Sequence, residues 1–313
     1  MLYLHIPFCK QKCSYCNFHF STSLKLKEAM LSAIKKEIFL RQDELQHKNL
    51  QSLYFGGGTP SILSGDEIKS LIDEVLKYFS FSENIEITLE ANPDDLDKNF
   101  LKALANTEIN RLSIGTQSFF EEDLKLMNRA HNASEAESSI KRAQDLGFEN
   151  LSIDLIYGSP TSNFEIWKEN LNKTIELHVP HVSSYALTIE PKTALSAWVK
   201  KNKTAPPKEA EQNKEFYYMS DFLKENDFQH YEISNFAKKG FESRHNSAYW
   251  KYKEYLGVGP SAHSYNGRNE RSWNVANNAL YIKELAKNKL AKETEILSEK
   301  DQYNEMLMIG LRT

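Results

Sequence analysis

Short runs rich in β-branched and aromatic residues recur along the first two-thirds of the chain. Each is followed by a longer stretch in which apolar residues return every three or four positions. The runs near Leu2–Ile6, Ser52–Phe55, Ile85–Glu90, Arg111–Thr116, Asn150–Ile156 and His181–Leu187 predict strands. Helical periodicity lies between them at about 24–46, 66–79, 97–106, 133–147 and 163–177, and again at about 208–226. Within 66–79, Ile68, Leu71, Ile72, Val75 and Leu76 share one side, Ser64 stands as the N-cap, and Glu67 three residues on closes a capping box. Six strand–helix repeats predict an α/β fold with a parallel sheet and helical crossovers. An open doubly wound sheet and a partial (β/α)6 barrel both satisfy that repeat, and the candidate chemistry favours the barrel.

Beyond about residue 195 the pattern breaks. Lys200–Lys208 reads as a Lys/Pro-rich linker, Asp227–Asn235 as a strand or hairpin element, and 278–288 and 299–310 as helices. The chain is therefore divided into an α/β region, 1–195, and a smaller α+β region, 196–313. Its closing run, Met306-Leu307-Met308-Ile309-Gly310-Leu311, has no polar taper, and the expectation is that this C-terminal region is incomplete.

Composition narrows the function classes. A chain of 313 residues buries roughly 75% of its extended surface and needs no disulfide staples. The 39 basic and 43 acidic residues leave a net charge of −4, with no basic field to recruit nucleic acid. No stretch approaches the roughly 18 apolar residues of a membrane-spanning helix, and Met-Leu-Tyr-Leu-His-Ile-Pro lacks the blocks of a signal peptide. The expected location is the cytoplasm.

All three cysteines, Cys9, Cys13 and Cys16, fall within eight residues in the order Cys-x3-Cys-x2-Cys. An odd number packed so closely is no disulfide framework and reads as the ligand set of one metal centre. A cubane iron–sulfur cluster takes four ligands, so three thiolates leave one iron open for chemistry. The alternative is a zinc site completed by His5 or His19, although zinc ligands usually come as two separated pairs and no second pair exists.

With its flanks, Tyr3-x-His5-Ile6-Pro7-Phe8-Cys9-x3-Cys13-x-Tyr15-Cys16 resembles the radical S-adenosylmethionine (SAM) signature. It is most similar to the family that contains oxygen-independent coproporphyrinogen III oxidases and HemW-type haem chaperones. Further matches follow in order and cover nearly the whole chain. Tyr54-Phe55-Gly56-Gly57-Gly58-Thr59-Pro60 follows the second strand, where glycines let the backbone approach a ligand and present N–H groups. Its spacing is not that of a nucleotide-phosphate loop. Glu90, Gln117 and Asp154 lie at or near the carboxyl ends of successive strands, with Arg129 between the last two. Barrel enzymes assemble their sites on that face. The resemblance implies a (β/α)6 TIM-like radical SAM barrel with a [4Fe–4S] cluster on the three cysteines. It implies SAM contacts at Tyr3, Tyr15, Gly57, Gly58, Thr59, Glu90, Gln117, Arg129 and Asp154, and reductive cleavage of SAM to a 5′-deoxyadenosyl radical.

Two features separate the family's branches. The oxidases carry a fourth cysteine two places after the third, where this chain has Phe18, and an extension before the first strand, which here begins at residue 2. His245-Asn246-Ser247-Ala248-Tyr249-Trp250 resembles the His-Asn-x-x-Tyr-Trp motif of the HemW branch, which implies haem contact through His245, Asn246, Tyr249 and Trp250. His245 is the first candidate for the iron and His263 a second. His and Tyr ligate haem iron, and Trp and Tyr offer faces to a porphyrin. Without the resemblance the segment reads as aromatic packing around a hydrogen-bonded histidine. The expected function is haem binding and transfer to haem-dependent proteins such as respiratory-chain enzymes. An electron donor for the cluster, a homodimer and peripheral membrane contact complete the expected partners. The alternative is a coproporphyrinogen III dehydrogenase making protoporphyrinogen IX.

Overall fold

The computed structural model describes all 313 residues. Six strands in chain order, β1 (Leu2–Ile6), β2 (Asn49–Gly57), β3 (Ser80–Ala91), β4 (Arg111–Gln117), β5 (Leu151–Tyr157) and β6 (His181–Ala186), lie side by side and parallel. The helices α1 (Lys27–Leu40), α2 (Gly65–Leu76), α3 (Lys98–Leu104), α4 (Glu121–Leu126), α5 (Ala133–Asp145) and α6 (Phe164–Glu176) cross between them. The capping box at Ser64 and Glu67 is present on α2. The helix expected over 24–46 runs only over Lys27–Leu40, behind a 3-10 turn. Its pattern of polar and apolar positions continues past Leu40, but Arg41 leaves helical geometry and turns into the interior.

Past α7 (Ala194–Lys200) and α8 (Glu209–Glu225), the strands β7 (Phe228–Glu232) and β8 (Asn235–Lys238) form a hairpin, and β8 joins β6 antiparallel. The short helix α9 (Arg244–Tyr249) follows, and then β9 (Leu256–Val258) pairs parallel with β1. One sheet of nine strands results, in the order β7-β8-β6-β5-β4-β3-β2-β1-β9. It is a partial barrel, with β7 and β9 as its two edges. A second, three-stranded antiparallel sheet comprises β10 (His263–Tyr265), β11 (Glu270–Asn274) and β12 (Lys292–Ile296), accompanied by α10 (Asn278–Leu285) and α11 (Glu299–Gly310). Residues past 195 thus extend the central sheet at both edges.

Side chains alternate across the parallel strands, as the pleat requires. Leu2, Leu4, Ile6, Leu53, Phe55, Ile87, Leu89, Leu112, Ile114, Leu151, Ile153 and Leu155 are fully buried in the main apolar core. Each such side chain contributes roughly 1.5–3 kcal/mol on burial, so this layer holds the barrel together. The intervening positions are polar: His5, Ser52, Glu86, Thr88, Arg111, Ser113, Ser152, His181 and Ser183 are all buried. A polar inner face contributes little to stability and is the natural lining of a site.

A buried network binds the C-terminal region to the barrel. Glu37 and Arg41, one turn apart on and just after α1, are each about 1% exposed. Glu37 accepts from Arg41 Nη1 (2.8 Å), Gly259 N (2.8 Å), Asn274 Nδ2 (2.7 Å) and the Tyr281 hydroxyl. Arg41 donates further to the Gly257 carbonyl (2.8 Å), Ser264 Oγ (3.0 Å) and Glu44 (2.7 and 2.9 Å).

Candidate functional site

The cysteine loop leaves the carboxyl end of β1 and meets the glycine run leaving β2. Gly58 N donates to the Ile6 carbonyl (2.9 Å) and Thr59 N to the Phe8 carbonyl (2.7 Å). A Cβ on Gly58 would stand 2.5 Å from the Phe8 carbonyl oxygen, and one on Gly57, at φ +108°, within 2.8 Å of the His5 ring. Only glycine lets the two loops touch.

Cys9, Cys13 and Cys16 are free thiols of intermediate burial. Burial pushes the Cys9 thiol up to about 11 and raises that of Cys16. Arg129 ties this loop to the barrel: Nη1 donates to Cys13 Sγ (3.3 Å), and Nη2 to Asn92 Oδ1 and the Gly115 carbonyl, both at 2.7 Å. Its Nε is buried without a partner, a donor left for a ligand. His5 and His19, the candidates for completing a zinc site, are engaged elsewhere. His5 Nε2 bonds the His19 carbonyl (3.1 Å) and Nδ1 the Tyr3 hydroxyl (3.3 Å), while His19 Nε2 bonds Asn278 Oδ1 (2.7 Å). Three free thiols on one loop beside a guanidinium, with both nitrogens of His5 and Nε2 of His19 already engaged, fit a cluster with one open iron better than zinc.

Below the loop the predicted SAM residues converge on the inner face. Glu90 Oε1 accepts from the Tyr54 hydroxyl (2.9 Å) and Oε2 from Gly57 N (3.2 Å). Asp154 Oδ1 accepts from Ser113 Oγ (3.2 Å). Both carboxylates sit deep in the lumen yet keep some contact with solvent. Burial, and for Glu90 also the Asp154 charge, pushes them up to about 7 and about 6. Two carboxylates so placed favour a ligand that brings donors or positive charge. Gln117 stands at φ +63° where the β4–β5 register slips between Ile114 and Gln117. That irregularity turns its amide toward Gly115, where a Cβ would meet both Gln117 Nε2 and Arg129 Nη2 at 3.0 Å. Tyr15 lies near Arg129, Cys13, Cys16 and Asp154, and burial raises its hydroxyl. Thr59 is buried beside Cys9.

The residues of the His-Asn-x-x-Tyr-Trp motif lie elsewhere. They form α9 and its C-cap, packed against Ser52 of β2 and Glu86 near the middle of β3. Glu86 of β3 caps the helix, accepting from Arg244 N and His245 N (2.9 Å each). His245 is 1% exposed, with Nδ1 bonded to Ser52 Oγ (2.8 Å) and Nε2 to the Tyr249 hydroxyl (2.9 Å), and burial pushes it down to about 3. Both ring nitrogens are therefore occupied in this conformation. Asn246 and Tyr249 are half-buried, Trp250 Nε1 is buried without a partner, and the Arg312 guanidinium lies 4.5 Å over the Trp250 ring. A cavity of about 760 Å³ opens beside them, lined among others by Ser52, Tyr231, Arg244, Trp250, Lys251 and Lys253. His263 is exposed on β10, against Trp273.

Glu86 and Glu90 are four residues apart on one strand, about 13 Å at about 3.3 Å per residue. The cysteine loop therefore stands at the carboxyl end of the barrel and the cavity beside α9 toward its amino end, with the His245 ring between them, 6.4 Å from the Tyr3 ring and 4.9 Å from that of Tyr54. Sequence reasoning passed over Ser52, Tyr54, Glu86, Arg111 and His181, which complete the inner face. Each was an ordinary polar residue in an alternating strand, and only their shared parity marked them.

Residues 3–174 match the family model of the radical SAM superfamily. The chain is 35% identical over 310 residues to the heme chaperone HemW of Lactococcus lactis subsp. lactis, covering 99% of this chain and 80% of that protein. It is 34% identical over 314 residues to the heme chaperone HemW of Bacillus subtilis, covering 99% and 82%. Among solved structures it is similar in fold to the radical SAM enzyme coproporphyrinogen III oxidase (HemN) of Escherichia coli, with a TM-score of 0.85 at 24% identity over 99% of this chain and 74% of that one.

Proposed function

Because the chain belongs to the HemW family of the radical SAM superfamily, we propose that it is a haem chaperone, binding haem at α9 and passing it to haem-dependent proteins. The observation that carries this reading is the separation of the two sites. A porphyrin in the cavity beside α9 lies toward the amino end of the barrel, away from the carboxyl-end face where a SAM-derived radical would form. Haem there is cargo rather than substrate. Phe18 supports the same reading: it stands 72% exposed where the oxidases have a cysteine.

When bound, the cluster and SAM supply one-electron chemistry. The chain's own part is to hold and orient them. Cys9, Cys13 and Cys16 hold the cluster, and Arg129 fixes Cys13. Tyr3, Tyr15, Gly57, Gly58, Thr59, Glu90, Gln117, Arg129 and Asp154 surround SAM, with Glu90 and Asp154 accepting its donors. On the α9 side His245, Asn246, Tyr249 and Trp250 contact haem, and Lys251 and Lys253 stand ready for its carboxylates. For His245 to reach iron, one of its ring nitrogens has to give up Ser52 or Tyr249. The division near residue 195 separates the cluster-bearing barrel from this haem-associated part. No helix is long and apolar enough to cross a membrane. A cytoplasmic location, a donor of electrons, a homodimer, transient membrane contact and delivery to respiratory-chain haem enzymes belong to the same proposal.

Hemin titration of the cluster-loaded chain, followed by absorption, tests it. The expected result is one hemin per chain, with His245→Ala weakening binding at least about tenfold while cluster absorbance stays unchanged. Unaltered hemin binding by His245→Ala overturns the motif's assignment, and no binding by the wild type overturns the chaperone reading.

A further inference from the structure

Tyr54 stands between the two sites. Its hydroxyl donates to Glu90 on the SAM side, and its ring lies 4.9 Å from that of His245 on the α9 side, with Tyr3 stacked at 6.0 Å on the barrel side. The meeting is close: a Cβ on Gly56 would stand 2.9 Å from Tyr3, 2.9 Å from Tyr54 and 3.0 Å from Glu90 Oε1. Tyr54 is buried, so its ring and hydroxyl cannot rearrange without disturbing these neighbours.

We propose that Tyr54 couples SAM binding to haem binding, with positive cooperativity. The proposal rests on the haem reading of α9. A ligand donor that takes Glu90 Oε1 competes with the Tyr54 hydroxyl for it. The released hydroxyl turns toward a new partner, and the ring contact that helps hold His245 against Ser52 and Tyr249 loosens. Conversely, a His245 drawn toward iron withdraws from the Tyr54 ring and leaves that ring room to swing its hydroxyl off Glu90, which SAM then meets unblocked. Each ligand removes a restraint that opposes the other, and the coupling is reciprocal by linkage. Tyr54 is on this view a positioning residue that need touch neither ligand.

Hemin titrations of the anaerobic, cluster-loaded full chain, with and without saturating SAM and with the cluster kept oxidised, test the coupling. SAM is expected to tighten hemin binding at least about fivefold, and hemin to tighten SAM by the same factor. Tyr54→Phe keeps the ring and removes the hydroxyl. It is expected to bind hemin without SAM as tightly as the SAM-loaded wild type does, and to gain nothing further from SAM. A packing role alone would leave the SAM effect intact in the Phe variant, and that result overturns the proposal. Wild-type hemin binding that ignores SAM overturns the coupling while leaving the haem reading in place. Absence of hemin binding removes both.

Discussion

Anaerobically reconstituted Cys13→Ser is expected to be almost colourless, with iron and sulfide per chain at least about tenfold below wild type. Cys13 is the middle thiol of the loop, and its sulfur accepts the Arg129 Nη1 hydrogen bond while its backbone carbonyl receives Cys16 N (3.4 Å). Serine keeps the loop's backbone and the guanidinium's neighbour, but its hydroxyl does not ionise to a ligand at neutral pH. Two thiolates then remain for a cubane that takes four ligands. The loop is only half-buried, so the fold survives and the loss belongs to the metal site. Iron and sulfide analysis beside far-UV circular dichroism checks both halves of that statement. A folded Cys13→Ser with wild-type iron content would mean that the cluster is held by other residues.

Arg41→Met is expected to destabilise the chain by about 3–5 kcal/mol, measured by urea denaturation. It strands Glu37 as a buried carboxylate without its guanidinium, and it takes one donor each from the Gly257 carbonyl and Ser264 Oγ, which are left with only their bonds to each other and to Gly257 N. A total stability of about 5–15 kcal/mol makes this a large fraction of the whole. Three neutral donors, Gly259 N, Asn274 Nδ2 and the Tyr281 hydroxyl, still reach Glu37, which keeps the effect from being larger. The double variant Glu37→Gln, Arg41→Met is expected to lose less than the sum of the two single changes, because no charge is left alone. A loss below about 1 kcal/mol in Arg41→Met would show that the network is not what seats the C-terminal region. The consequence reaches the site, since Gly259 packs so closely under β1 that a Cβ there would lie 2.5 Å from the His5 carbonyl oxygen.

That network also marks where the sequence stops being legible. The six parallel strands and most crossover helices could be read because period-2 and period-3.6 patterns are local. The cysteine loop, the glycine run and Glu90, Gln117 and Asp154 could be read because their residue types are unusual for their positions. Glu37 and Arg41 could not: on a helix they look like a solvated i,i+4 pair, and only partners more than two hundred positions away make them interior. For the same reason β9, three residues long, gives no periodic signal, and its pairing with β1 is decided by long-range packing. His245 is the subtler case. Its motif was visible, but its place against β2 and β3, with both ring nitrogens engaged, follows only from the chain's return to the barrel through β7 and β8.

The claim that this chain carries haem rather than makes its precursor is tested most directly by one incubation. Cluster-loaded protein, reductant, SAM and coproporphyrinogen III are held together anaerobically, and the porphyrinogens are separated afterwards. With the cysteine loop at the carboxyl end of the barrel, the cavity beside α9 toward its amino end and Phe18 in place of a fourth cysteine, coproporphyrinogen III is expected to be recovered unchanged. Time-dependent appearance of protoporphyrinogen IX would contradict the haem-carrier reading.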